Sequence, residues 1–597
     1  MSEFLNNEKN ADALAKARAA RVNRENNSSS VQLPNQGGKW VVAGILVLFL
    51  SVLLVSSNGL GYLKIALQST QDTTVCPIHE PVVPQTYLND KSKLYNIVHD
   101  EKFRLQSAKK LSGAVQVDTQ IGDNQPDVPD APEQWVQFQA FHDYLEKTFP
   151  TVYKRLQVEK VNTYGLVYTW KGSNDNLKPS MFIAHQDVVP VQKATLKDWT
   201  HPPFEGHYDG TYVYGRGALD CKNLLIAILE TLELLIADNF KPQRSIIVAF
   251  GFDEESIGIR GAANIAKHLE KKYGHNSIYS LIDEGLGLTL DAETGQYIAT
   301  PANGEKGDLN VHVFLSAPGG HSSYPPDHTA IGIMAELSSN LENDPYEPFL
   351  TSKNPILRYL QCLAVNTGDK LPELTRKAIL RAGFDKVANS KILNLLLKNP
   401  MLNYLVRTTQ SLDIVQGGEK ANSLPEHVKL VINHRVAIET PFEEVEKHFS
   451  DQVVKVAKKY NISVEAFGEQ VYNGDPNNGQ FTVVVYHKTP AAPVAPSNDT
   501  VWKYLAGTTR HVFEDVVFTN LSYPIMMTPF SFTGTTDSKY YANLTRNIYR
   551  YTPGFPADFK ENRVHSVDEK VPFDAHLHAL AFYYEYIQNI DTPDADN

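Results

Sequence analysis

Cysteine is nearly absent: the 597 residues include only Cys76, Cys221 and Cys362. So small and odd a number excludes a disulfide framework and leaves room for one bridge, whose pairing the spacing does not set. No C-x-x-C pair occurs, so a thiolate zinc site is excluded, and a metal here must be held by His, Asp and Glu. Nor does any Cys/His arrangement suggest a thiol nucleophile. Positive charge is in deficit, with 56 Lys and Arg against 68 Asp and Glu and a formal net charge of -12. That balance excludes nucleic acid as a partner, because phosphate binding needs a basic face. Internal repeats are lacking as well, which excludes a solenoid or array.

What remains is ordinary globular material, 42% apolar and 21% charged, and long enough for two or three domains. One uncharged apolar run stands out, Trp40 to Val55. With its flanks it can span a bilayer. A polar tail bearing Lys9, Lys16, Arg18, Arg21, Arg24 and Lys39 precedes it, and positive residues stay on the cytoplasmic side. The alternative, a cleaved signal peptide, fits the long tail poorly, and no A-x-A site follows. The pattern predicts a cytosolic tail (1–39), a transmembrane signal anchor (40–57) and a Pro-rich stalk (58–91), hence a single-pass type II protein. Four N-x-S/T sequons, at Asn461, Asn498, Asn520 and Asn543, are glycosylation candidates in the ectodomain.

From Ser92 onward, helical and strand patterns alternate. Short continuous apolar strands are expected at Met181–Ala184, Ser245–Phe252 and Ser280–Ile282, with helices at Leu224–Ile236 and Ala262–Lys271. This is the pattern of an α/β domain with a mixed, largely parallel sheet. After Gly307 the order becomes β-α-β-β-α-β, a small α+β unit, interrupted by a Leu-rich helical stretch over about 344–408 that suggests no chemistry. The α/β pattern then resumes. The expected layout is a catalytic domain in two parts, 92–306 and 491–597, with an inserted lid domain at 307–490.

Acids and histidines gather just past the predicted strand ends, where open parallel sheets bind ligands. His185 and Asp187 follow the first strand. Asp220 sits in a Gly-rich turn. Asp253, Glu254 and Glu255 follow F-G-F, Asp283 and Glu284 follow L-I, and His565 lies in a late polar loop. Singly these are common: an H-x-D pair is usually a surface or core hydrogen-bonding pair, and an acidic run is usually a solvated face. Together at one sheet edge they would repel unless a cation neutralised them. Imidazole with carboxylate suits zinc, cobalt or manganese.

The stretches A-H-Q-D-V-V-P-V (184–191), G-R-G-A-L-D-C-K (215–222), F-G-F-D-E-E (250–255), I-D-E-G (282–285), G-G-H-S-S (319–323), G-G-E-K-A-N-S-L-P-E (417–426), N-H-R-V (433–436), T-G-T-T-D-S-K-Y-Y (533–541) and H-S-V-D-E (565–569) resemble the di-zinc aminoacylase/carboxypeptidase family. Within it they are most similar to the fungal vacuolar carboxypeptidase S branch. The resemblance implies two zinc ions per chain. His185 and Asp283 would hold one, Glu255 and His565 the other, with Asp220 bridging; Glu284 is the alternative to Asp283. It further implies Asp187 orienting His185, Glu254 as general base, and Arg435 gripping a substrate carboxylate. His321 and Asn422 would reach the scissile bond, His321 across a possible homodimer formed through the inserted domain. Gly534, Thr535 and Thr536 would line the pocket. The implied reaction is removal of the C-terminal residue from short peptides, Gly-X types favoured, in the vacuole; hydrolysis or synthesis of N-acyl amino acids is the alternative.

Overall fold

The computed structural model describes residues 43–48, 59–70, 73–123, 125–291, 294–555 and 560–596. The expected tail lies outside these residues, as does the expected anchor apart from a helical stretch at 43–48. Among the described residues no helix is long and apolar enough to cross a membrane.

The main sheet has eight strands. In spatial order they are Gln157–Val161, Gly165–Trp170, Ile246–Gly251, Ser180–His185, Leu281–Leu286, Ile548–Tyr551, Ala302–Glu305 and Phe530–Phe532. Four neighbours, from Ile246–Gly251 to Ile548–Tyr551, run parallel, and the antiparallel pairings lie outside them. The sheet is therefore mixed with a parallel centre.

The apolar strands are continuous because both faces are covered. Ile246, Val248 and Phe250 pack into one core with the helices Lys222–Ala237 and Phe573–Asn589. Ile247 and Ala249 pack into another with the helix Ala262–Tyr273. Each fully buried Ile, Val or Phe there contributes about 1.5–3 kcal/mol, so the strand ends that carry the polar groups are fixed by packing behind them.

The segment from Gly307 to Thr489 builds a second sheet of six strands, in the order Thr409–Gly417, His427–Val436, Gly307–Ser316, Gln480–Thr489, Ser463–Ala466 and Glu469–Tyr472. Two of these, Glu469–Tyr472 and Gln480–Thr489, extend the expected β-α-β-β-α-β order. Alternation sets its faces. Leu309, Val311, Val313 and Leu315 point into a core with the helices Ala330–Asn343 and Phe442–Tyr460, which leaves Asp308 and Asn310 on the other face.

The helical stretch that suggests no chemistry packs against the rest of the chain. Its helices, Pro355–Asn366, Glu373–Arg381, Lys386–Leu396 and Pro400–Leu405, share a core with Ile65, Ile298, Met526 and Phe530. A disulfide, Cys76–Cys362, ties it to the N-terminal segment across 286 residues of sequence. This is the single bridge the cysteine count allowed, and it leaves Cys221 as a buried free thiol.

Candidate metal centre and active site

His185 ends its central strand and is 1% exposed. Its Nε2 lies 3.0 Å from Asp220 Oδ1, while the other oxygen of Asp220 lies 3.0 Å from His565 Nε2. One carboxylate thus spans two histidines that are 380 residues apart in sequence. The turn carrying Asp220 is shaped by Gly215 and Gly217, at φ +144° and +84°, conformations that favour glycine. Buried Glu569 clamps this turn. It accepts the Gly217 N–H at 2.9 Å and pairs with Arg216 at 2.6 Å. The Asp220–Cys221 peptide bond is cis.

Glu254 and Glu255 open a short turn, Glu254–Ser256. Fully buried Asp187 caps it, accepting the Glu254 N–H at 3.2 Å and the Glu255 N–H at 2.9 Å. His185 Nδ1 meets the backbone carbonyl of Asp187 at 2.9 Å and its carboxylate at 3.5 Å. Asp187 therefore holds the ring mainly through its main chain and spends its side chain on the acidic turn. Glu255 Oε1 reaches His565 Nε2 at 3.1 Å. Asp253 points away and binds the N–H groups of Arg260 and Gly261, both at 2.7 Å.

Asp283 does not join His185. The strand expected to stop at Ile282 continues to Leu286, so residues 283 and 284 face opposite sides. Glu284 is the one on the His185 side, its Oε1 3.4 Å from His185 Nε2. Asp283 is 1% exposed and accepts the Ser538 N–H at 3.1 Å. It anchors the loop that begins at Gly534 instead of facing the cluster.

Electrostatics follow from crowding. Burial, then repulsion from Glu284, Glu255 and Asp537, pushes Glu254 well above the usual carboxylate range. Glu284 is pushed up to about 8 by burial and by Asp220 and Asp283. Burial also raises Glu255. Asp220 goes the other way: burial opposes its charge, but bonds from both histidines outweigh that and lower it. His565 rises to about 10 through its bonds to Asp220 and Glu255. Such a set stays together only with positive charge among it. Burial pushes the Cys221 thiol up, and its sulfur accepts the His185 N–H at 3.2 Å.

The donors fit metal ions. His185, Asp220 and Glu284 form one convergent group, with Cys221 beside them, and Asp220, Glu255 and His565 form a second, all donor atoms within 4.8 Å of one another in each. Tetrahedral bonds of about 2.0–2.2 Å would separate ligands by roughly 3.3–3.6 Å, close to the 3.0–3.4 Å separations among these atoms.

These acids line a cavity of about 460 Å³ whose opposite wall is the polar face of the second sheet. Asp308 accepts from Asn310 at 3.1 Å and from Asn433 at 2.8 Å, and Asn433 accepts the Arg435 Nε–H at 3.1 Å. This network presents a partly exposed Arg435 to the cavity. His487 and Lys539 also line it. Gly534, Thr535 and Thr536 form a rim. Thr536 is pinned by Glu305, which takes its N–H at 2.9 Å and its hydroxyl at 2.8 Å and is itself paired with wholly buried Arg550 at 2.7 Å. His321 and Asn422 are not brought to the cavity. They sit exposed on and beside a small ribbon, Gly320–His321 against Ser423–Leu424.

Sequence reasoning missed Glu569, Glu305 with Arg550, and the polar wall. Glu569 lies within the H-S-V-D-E motif. The alternation of Asp308 and Asn310 with Leu309 and Val311 was the available signal for the wall.

Residues 181–589 match the family described as Peptidase family M20/M25/M40. The chain belongs to the M20 peptidase family. It is 42% identical to Carboxypeptidase S of Saccharomyces cerevisiae over 518 residues, which covers 86% of this chain and 89% of the relative. It is 32% identical over 501 residues to the N-fatty-acyl-amino acid synthase/hydrolase PM20D1 of Bos taurus, covering 82% and 88%. Its fold is similar to that of human carnosine dipeptidase 1, with a TM-score of 0.57 at 15% identity, covering 85% of this chain and 99% of that one. As an M20 chain it is a metal-dependent peptide hydrolase of the α/β M20 fold.

Proposed function

We propose that the chain is a di-zinc carboxypeptidase that removes the C-terminal residue of short peptides. The observation that carries this is one cavity with two convergent acid–imidazole groups and Glu254 on one wall and Arg435 on the other. In this reading His185, Asp220 and Glu284 hold one ion, and Asp220, Glu255 and His565 the other. Bound there, zinc would supply a strong Lewis acid beside an acidified water. Arg435 takes the terminal carboxylate in a planar fork, which lays the last amide against Glu254. Glu254, on the cavity wall among the acids that would hold the ions, takes the proton of the attacking water and returns it to the leaving amine. Asp187 keeps His185 and the Glu254 turn in register.

The similarity to Carboxypeptidase S favours peptides over acyl amino acids. The far wall adds polar partners for a peptide backbone in Asp308, Asn310, Asn433 and His487. The test compares a blocked Gly-Leu dipeptide with a fatty-acyl amino acid on zinc-loaded protein. Faster turnover of the dipeptide is expected, and the reverse order would overturn the reading.

We further infer an anchored, luminal, vacuolar enzyme with its anchor at 40–57. The Cys76–Cys362 bridge supports an oxidising compartment, and Asn461, Asn498, Asn520 and Asn543 are all exposed. A homodimer through the inserted unit is supported by the edge strand Thr409–Gly417, which exposes Val415 at 67%. A partner docked there would give the exposed His321 and Asn422 a cavity to enter. A monomeric mass in solution at full activity would count against it.

A further inference from the structure

Outside the cavity, His201, Glu205 and His207 bring three donor atoms within 4.8 Å of one another. The loop that carries them, W-T-H-P-P-F-E-G-H-Y over 199–208, is fixed through its backbone. Pro202 and Pro203 restrict two φ angles. The Glu205 N–H donates to the Pro202 carbonyl at 2.9 Å, and the Arg216 N–H to the Pro203 carbonyl at 2.8 Å. Gln116 Nε2 donates to the Glu205 carbonyl at 2.9 Å. Gly206, at φ +62°, runs so close to Ser112 that a Cβ would come within 2.3 Å of its carbonyl oxygen. The chain therefore reverses tightly at glycine and returns His207 beside His201.

The two imidazoles stack with centroids 3.8 Å apart and planes 10° apart. His201 Nδ1 lies 3.8 Å from Glu205 Oε2, and these two side chains are 26% and 46% exposed, open to an ion from solvent. The neighbouring carboxylate of Asp209 is already engaged with the N–H groups of Thr211 and Tyr212, both at 2.7 Å.

We propose that His201, Glu205 and His207 form a binding site for one zinc-type divalent cation, separate from the active-site cavity. Two imidazoles and a carboxylate are a donor set suited to zinc, and three protein ligands leave a position for water. To close on an ion the rings open from their parallel stack by rotation of part-exposed side chains, while the braced backbone stays in place. A cation held there would fasten the braced loop. That loop is joined to the one carrying His565: Thr200 donates its N–H and hydroxyl to the two oxygens of Asp568 at 2.6 and 2.9 Å.

The test counts zinc per chain by elemental analysis after equilibrating the full chain at micromolar free Zn2+, beside His201→Asn, His207→Asn and Glu205→Gln. The wild type is expected to hold one zinc more than either histidine variant. None of the three side chains lines the cavity, and unchanged peptide hydrolysis by the zinc-loaded variants would show that the cavity keeps its own ions, so the difference belongs to this site. Affinity for the extra zinc should fall more than about 100-fold, since even outer partners of a metal site are worth 10–100-fold. Added Zn2+ should raise the melting temperature of the wild type more than that of the variants, and Mg2+ should not substitute. Equal zinc counts in wild type and histidine variants would overturn the proposal. If a histidine variant fails to fold, Glu205→Gln decides on its half-exposed side chain: an unchanged count and affinity there would overturn it equally.

Discussion

Asp283→Ala and Glu284→Ala should have opposite consequences, although the residues are neighbours. Glu284 offers one of the three donors of the site with His185 and Asp220, its Oε1 3.4 Å from the His185 ring nitrogen. Its loss should weaken zinc at that site by more than about 100-fold, beyond the 10–100-fold typical of outer partners. It should cost the metal-free fold little, because the substitution removes a carboxyl whose charge burial and Asp220 already oppose. Asp283 is buried and holds the Ser538 N–H at 3.1 Å. Its loss leaves that donor unpaired, at about 1–3 kcal/mol, and frees the rim loop. Zinc content should stay at the wild-type level while kcat/KM falls roughly tenfold or more, 1.36 kcal/mol being tenfold. The assays are zinc per chain, thermal unfolding of metal-free protein, and hydrolysis of a blocked dipeptide. If Asp283→Ala lost zinc and Glu284→Ala kept it, the alternation argument for the strand Leu281–Leu286 would be refuted.

Glu254→Gln should lower kcat by about 10²–10⁴-fold with zinc content unchanged, as read by parallel metal and rate measurements. Arg435→Lys should raise KM for peptides with a free terminus by about 10–100-fold, from a lost charged fork worth about 1.5–3 kcal/mol, and should leave C-terminally amidated peptides as poor as before. Cys76→Ser should cost about 2–5 kcal/mol of stability; thiol reductant should produce the same loss in the wild type and none further in the variant. Acid should destabilise the fold through His142, His434 and His578, which burial lowers to about 4 each. Their folded pKa lies below the unfolded 6.5, so stability is intact above pH 6.5 and is withdrawn as pH falls to 4. Each residue accounts for up to about 3 kcal/mol, 2.5 units at 1.36 kcal/mol. Melting temperature against pH should therefore fall in that window, and His434→Gln should flatten the fall.

What the sequence could disclose was set by range. Helices such as Phe442–Tyr460 and buried strands such as Ile246–Gly251 have local periodicity and are legible within a residue or two. The gathering of His185, Asp220, Glu255 and His565 is legible one level up, because strand ends of a parallel sheet share an edge. That Glu284 rather than Asp283 stands beside His185 has a long-range origin. The stretch D-E-G-L looks like the end of a strand, but pairing with Ile548–Tyr551 carries the strand on through it. That extension to Leu286 sets which acid faces the histidine. Glu569 was hidden for the opposite reason: an acidic pair just after a motif histidine looks solvated, and only the fold wraps the Gly215–Asp220 turn around Glu569.

The same reasoning explains why Arg435 and His321, read from equally good motifs, came out differently. Arg435 lies on a strand whose register with Gly307–Ser316 fixes it opposite Asp308, so its own chain suffices to aim it at the cavity. His321 lies on a two-residue ribbon and is exposed. A motif can name a residue's chemistry, but where it acts depends on what its element pairs with. In the homodimer proposed above, the open edge strand Thr409–Gly417 would supply that pairing. Placing a charge there, as in Val415→Lys, should therefore lower activity together with dimer mass while leaving zinc content intact. A fall in activity with no change in mass would return His321 to a role within its own chain.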